Sequence, residues 1–205
     1  NYPKEPLTTN SNYGNIKVKK FYNIDDIKKE SKEYRDPETY IKTLEKLIFN
    51  SLELQSKADV NIGALLSGGV DSSIIVSLLQ NSSINKVNTF TLGFEDTAFD
   101  ESKKAFQISN ILGTNHNFYK VCNDDIKKII PKLSFIYDEP FADSSQIPSC
   151  IVSSFSSKSV KVLLSGDGGD ELFGGYPRYQ KASIQYQLLN LINFNIRKQL
   201  GINGE

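Results

Sequence analysis

The chain has 205 residues, 39% of them hydrophobic, which is enough to bury one sizeable core and makes a single domain the expectation. Its 24 basic and 24 acidic residues balance to a formal charge of +0, so nothing in the net charge calls for nucleic acid or an anionic membrane as partner. Two cysteines, Cys122 and Cys150, are too few for a disulfide scaffold or a four-thiolate zinc site, no apolar run reaches membrane-spanning length, and the start has no signal-peptide pattern; a reducing cytoplasm is the expected compartment.

Residues 1–15 are polar and rich in Asn, Thr and Pro and read as a linker or domain edge, so residues 1–35 are expected to be linker or edge and residues 36–205 the domain proper. A short extended piece is expected from Ile16 to Ile24. Asp36-Pro37-Glu38 opens a helix, with proline in the first turn and acid at the positive end, and its core face is Ile41, Leu44, Leu47, Ile48 and Leu52. Strand Val60 to Leu66, helix Ser72 to Gln80, strand Lys86 to Phe94 and helix Asp100 to Leu112 follow, then a short strand near Asn117 to Val121. A helix from Asp124 to Tyr137 bends at Pro131, and a loop leads to helix Ile147 to Ser157 and strand Val160 to Ser165. Alternating strands and helices predict a parallel sheet covered on both faces, with ligands at the carboxyl ends of its strands.

Two glycine-rich strings fall at such strand ends. The first, Leu65-Leu66-Ser67-Gly68-Gly69-Val70-Asp71-Ser72-Ser73, joins an apolar strand to a helix N-terminus. Backbone N–H groups there cradle a phosphate chain, serine hydroxyls add donors, and Asp71 is placed for a hydrated magnesium bridging to phosphate. It lacks the Lys-Ser/Thr ending of a Walker loop. The second string, Ser165-Gly166-Asp167-Gly168-Gly169-Asp170-Glu171-Leu172-Phe173-Gly174-Gly175-Tyr176, crowds three carboxylates among its glycines. Such like charges need a cation, hydrogen bonds or raised pKa values to coexist. His116 is the only histidine and is assigned a capping or strand-edge hydrogen bond. Asp138, Glu139 and Asp143 either shape a substrate pocket or cap the next helix, and Arg178 is a candidate for an anionic group.

The first string resembles the pyrophosphate loop of the N-type ATP pyrophosphatases, and the two together resemble the synthetase domain of glutamine-dependent asparagine synthetases. Leu92-Gly93-Phe94 with Asp100-Glu101 is similar to the family's second strand and acidic turn. The run Asp138 to Pro148 resembles its form in the Bacillus-type bacterial subgroup. The resemblance implies a three-layer doubly wound α/β fold of the adenine nucleotide alpha hydrolase (PP-loop) kind. It implies that Leu66 and Leu92, with Gly93, contact adenosine through backbone groups, and that Ser67, Gly68, Gly69, Ser72 and Ser73 hold pyrophosphate. It further implies that Asp71 and Asp170 ligate magnesium, that Ser165 and Gly166 border the nucleotide, and that Asp167 stands where the aspartyl-adenylate forms. Many members carry Glu there, so the shorter Asp167 has less reach.

The implied reaction is amidation of the aspartate side chain, with ATP and Mg2+ as cofactors and ammonia as nucleophile. A glutaminase domain in the full-length chain supplies the ammonia, and a homodimer is left open. The family's N-terminal cysteine nucleophile and its downstream Lys-x-Asp-Arg motif are not in this sequence, and methionine is absent, which agrees with an internal fragment. Two alternatives stay open at this level: an amidotransferase acting on another carboxylate (a sugar acid or β-lactam precursor), and an inactive ATP-binding module.

Overall fold

The computed structural model describes residues 8–11, 14–17, 36–95, 100–140, 142–179 and 181–182. The chain divides into two units, Asn1–Lys46 and Leu47–Glu205. In the first, β1 (Thr8–Ser11) pairs antiparallel with β2 (Gly14–Lys17), Thr8 opposite Lys17. A strand therefore stands within the stretch read as linker, and the extended piece expected from Ile16 begins at Gly14; residues 18–24 lie outside the described residues.

Helix α1 (Pro37–Gln55) starts where the sequence predicts. The Asp36 carboxylate accepts the Thr39 N–H at 2.9 Å and the Thr39 hydroxyl at 2.6 Å, satisfying a first-turn donor. Those bonds, the hydroxyl's first, hold the Asp36 pKa below its ordinary value. The expected core face is corrected: Ile41 and Leu47 are 62% and 61% exposed, and only Leu52 is buried, with Ile48 packed beside it. Its last turns bring Ile48 and Leu52 into the core of the second unit.

In the second unit, β3 (Ile62–Leu65), α2 (Val70–Ser82), β4 (Asn88–Gly93), α3 (Ser102–Leu112) and β5 (Asn115–Lys120) follow in turn. Then come α4 (Asn123–Ile129), a 3-10 turn (Ile130–Lys132), α5 (Leu133–Ile136), α6 (Gln146–Ser156), β6 (Val162–Leu164) and α7 (Gly169–Phe173). The single helix expected over Asp124 to Tyr137 is broken rather than bent. Pro131 has no N–H to give, and the chain passes it as a 3-10 turn between two short helices.

The four strands form one parallel sheet in the order β5-β4-β3-β6. Side chains alternate across it. Ala64 and Leu164 join Val76 and Leu79 of α2 and Ala105 of α3 in one core cluster. Leu65, Phe90, Leu92 and Leu163 join Val152 and Phe155 of α6 in another. Helices thus cover both faces, giving the three-layer doubly wound arrangement. The connections from β3 run outward through β4 to β5, whereas β6 lies on the other side of β3. The carboxyl ends of β3 and β6 therefore flank the topological switch point, where such sheets open a crevice.

Candidate functional site

The loop after β3 turns at Gly68, whose φ is +84°. A Cβ there would stand 2.8 Å from Lys104 Cβ and 2.9 Å from the Ala105 nitrogen, so the turn is pressed onto the first turn of α3. Gly69 precedes α2 with no side-chain cap. The Ser72 and Ser73 hydroxyls instead donate back to the Gly69 carbonyl at 3.3 Å and 2.6 Å. Ser67 and Ser72 are linked hydroxyl to hydroxyl at 2.9 Å, and the Gly69 N–H donates to Ser67 Oγ at 3.2 Å. A helix of 13 residues begun this way offers its first N–H groups to an external acceptor.

The loop after β6 meets it directly. A Cβ on Gly166 would lie 2.8 Å from the Ser72 nitrogen and 3.0 Å from the Asp71 carbonyl carbon. One on Gly169 would lie 2.6 Å from Asp71 Cγ. At Gly166 only glycine lets the two backbones come so close. Within the second loop, the Ser165 hydroxyl donates to Asp167 Oδ2 at 3.0 Å and accepts the Asp167 N–H at 3.4 Å, which fixes the direction of that carboxylate. The Asp170 carboxylate lies against Gly175, leaving no room for a side chain there.

Between the loops is a polar cavity of about 400 Å³. Ser67, Asp71 and Ser72 reach it from the first loop, and Asp167, Asp170 and Glu171 from the second. A second cavity of about 250 Å³ shares Asp71 and the 165–169 segment, but its other walls are largely apolar, Leu52, Ile75 and Phe173 among them. Gly69, Ser165 and Gly166 also line the polar cavity, so most of the sequence-predicted residues converge.

Others do not share that wall. Gly68 packs behind the loop, and Ser73 is tied to Gly69. Leu66 is buried, its N–H donating to the Phe90 carbonyl at 3.0 Å and its carbonyl accepting the Thr91 hydroxyl. Leu92 packs in the core under α6, while Gly93 closes β4 beneath the Phe118 ring and accepts the Val121 N–H at 2.8 Å.

Remaining candidates sort cleanly. His116 makes the expected strand-edge bond, Nδ1 to Thr89 Oγ1 at 3.0 Å. Asp143 accepts the Ser145 N–H at 2.8 Å just before α6, while Asp138 and Glu139 border a separate cavity of about 460 Å³. Arg178 stacks on the Tyr176 ring, 4.2 Å from its centroid. Tyr176 has no role in the sequence reading and Glu171 only a place among the crowded carboxylates, yet both line the polar cavity, and the Tyr176 hydroxyl donates to Glu171 Oε1 at 2.8 Å. That bond, chiefly, pushes the Tyr176 pKa above its ordinary value.

Glycine-rich strand-to-helix loops meeting at the switch point of a doubly wound parallel sheet define an α/β domain of the kind that opens a ligand crevice there. A profile of the asparagine synthase family matches residues 43–201. The chain belongs to that family. It is 40% identical over 142 residues to a Methanocaldococcus jannaschii protein that carries the provisional name of a glutamine-hydrolysing asparagine synthetase, covering 69% of this chain and 27% of that one. With asparagine synthetase (glutamine-hydrolysing) 1 of Bacillus subtilis the identity is 36% over 141 residues, covering 69% and 22%. The chain thus spans about a quarter of the length of these relatives. Among solved structures, NMN synthetase from Francisella tularensis superposes with a TM-score of 0.46 and 15% identity, over 70% of this chain and 59% of that one.

Proposed function

We propose that this domain binds ATP across the two loops and uses it to amidate the side chain of aspartate. A carboxylate has no good leaving group. Attack of its oxygen on the α-phosphorus of ATP breaks the α–β bridge, releases pyrophosphate and leaves an acyl-adenylate. Ammonia then adds to the acyl carbon, the bond to AMP breaks, and the nitrogen sheds a proton to give asparagine. The chain's part is to orient reactants and to stabilise charge on phosphate oxygens.

Ser67, Gly68, Gly69, Ser72 and Ser73 hold the pyrophosphate, with the opening N–H groups of α2. Leu66, Leu92 and Gly93 border adenosine at the strand ends, and Ser165 and Gly166 flank the nucleotide. Asp167, oriented by Ser165, accepts the proton from the attacking amine. Among the described residues no three acidic, histidine or cysteine side chains cluster as a metal cage. Magnesium needs fewer, one or two carboxylates with the rest of its shell from water and phosphate, and Asp71 and Asp170 on one cavity fit that demand. Bound there, it would neutralise charge on the phosphate oxygens. In the whole protein a glutaminase domain supplies the ammonia, as the glutamine-hydrolysing names of the relatives suggest.

The observation that carries this reading is the contact of Gly166 and Gly169 with Asp71 and Ser72, which joins two loops far apart in sequence into one acid-bearing, donor-rich wall. Isotope exchange of labelled pyrophosphate into ATP, with the protein in its complete reading frame, tests it. Aspartate-dependent exchange that disappears in Asp71→Asn is expected. Exchange dependent on another carboxylate would replace aspartate by that acid, and ATP binding with no exchange for any acid would overturn the ligase reading.

A further inference from the structure

The polar cavity is lined by four carboxylates, Asp71, Asp167, Asp170 and Glu171, and by no lysine or arginine among the described residues. Three of the four have tasks in the proposed reaction. Glu171 has none, and its setting is specific. One of its oxygens accepts the Tyr176 hydroxyl at 2.8 Å. Tyr176 is itself held on two sides: the Arg178 guanidinium lies 4.2 Å from its ring centroid, and the Tyr179 ring meets it edge to face at 5.6 Å. The nearby cation is therefore engaged with aromatic faces, and Arg178 makes no ion pair with Glu171 among the described residues. Tyr176 thus pins a carboxylate on the cavity wall through one of its oxygens.

An acid-lined pocket repels a dicarboxylate and attracts an ammonium. Aspartate carries both, and the amino group is what separates it from a simple diacid of equal length. We propose that Glu171 receives the α-ammonium of the acid substrate and that Tyr176 is the positioning residue that aims it, so that the site selects an α-amino acid over its des-amino counterpart. This deepens the aspartate reading above and rests on it. A hydrogen bond between charged groups in such a setting is worth enough to discriminate, about tenfold or more in affinity.

The test is pyrophosphate–ATP exchange by the full-length protein with aspartate and with succinate, which lacks only the amino group. The wild-type protein should prefer aspartate. Glu171→Gln should raise the aspartate KM about tenfold or more, leave the ATP KM within about twofold, and bring the aspartate-to-succinate preference toward unity. Tyr176→Phe keeps the stacked ring but loses the hydroxyl, so it should raise the aspartate KM less, with kcat little changed. Glu171→Gln with its preference intact overturns the inference while leaving the ligase reading standing. An ATP KM that rises as much as the aspartate KM also overturns it, by assigning Glu171 to the nucleotide. Should Glu171→Gln not fold, the Tyr176→Phe preference decides alone, and an unchanged value sinks the proposal. No exchange by wild-type protein with either acid overturns both readings.

Discussion

Gly166 and Gly169 mark the contact between the loops, and a methyl group added at each meets a different kind of obstacle. At Gly166 it faces backbone, the Ser72 nitrogen at 2.8 Å and the Asp71 carbonyl carbon at 3.0 Å, which can move only if a loop or the start of α2 moves. At Gly169 it faces the Asp71 carboxyl group, with Cγ at 2.6 Å and Oδ2 at 2.8 Å, and a side chain can rotate away. Overpacking against backbone typically costs about 1–3 kcal/mol. Gly166→Ala is accordingly expected to lower the urea midpoint, with ATP affinity falling alongside it. Gly169→Ala should keep more of the stability and still lose ATP affinity, because the displaced carboxylate is the one assigned to the metal. Urea denaturation beside calorimetric titration with ATP separates the two, and equal losses of stability would refute the distinction.

At the scale of elements, β5 is tied to β4 by more than its ladder. Thr89 is fully buried and opposite His116 in register, and its hydroxyl is 3.0 Å from both Thr114 Oγ1 and His116 Nδ1. His116 Nε2 is buried with no partner among the described residues, and burial holds the imidazole pKa below its ordinary 6.5. The unfolded chain takes up this proton near its unperturbed value and the fold only at lower pH. Between the two, the unfolded state binds more protons, so stability is present above that value and is lost as pH falls through the window. Carboxylates held low, such as Asp100 by the Ser102 hydroxyl and N–H, act in a separate window below their ordinary 3.8. Urea midpoints measured between pH 7 and 5 should therefore slope downward on acidification in the wild type and flatten in His116→Gln; an unchanged slope would assign the sensitivity elsewhere. The order of elements was legible because buried parallel strands read as apolar runs and helices as 3.6-residue periods. The β1–β2 hairpin was not, since Thr8-Thr9-Asn10-Ser11 has no apolar alternation to mark a strand. Nor was the exposure of Ile41 and Leu47, because spacing marks a stripe and not how far along the helix a neighbour covers it. Both glycine loops were legible from composition. The Tyr176–Glu171 pair was not, because it depends on the turn at Gly174, where φ is +68°.

At the scale of the whole molecule, the sheet order does what neither string can do alone. Asp71 follows β3 and Asp170 follows β6, and only the adjacency of those strands brings both to one cavity. Had β6 joined the sheet beyond β5, the two acids would sit at separate strand ends with two strands between them. Shared use of one ion has an energetic signature that separate roles lack. Even outer-shell partners of a metal are worth about 10–100-fold in its affinity, so Asp71→Asn and Asp170→Asn should each weaken ATP binding in magnesium by at least about tenfold. Groups that act on the same ion are not additive: once the first substitution has cost the site its metal, the second has little left to remove. The double variant should therefore bind only slightly less tightly than the weaker single one. Chelation by EDTA should bring wild type and all three variants to a similar, low affinity. Calorimetric titration in both conditions completes the cycle. Fully additive losses, or a wild type indifferent to chelation, would mean that the two carboxylates serve separate ends and that the cavity between the loops is not a shared metal–phosphate site.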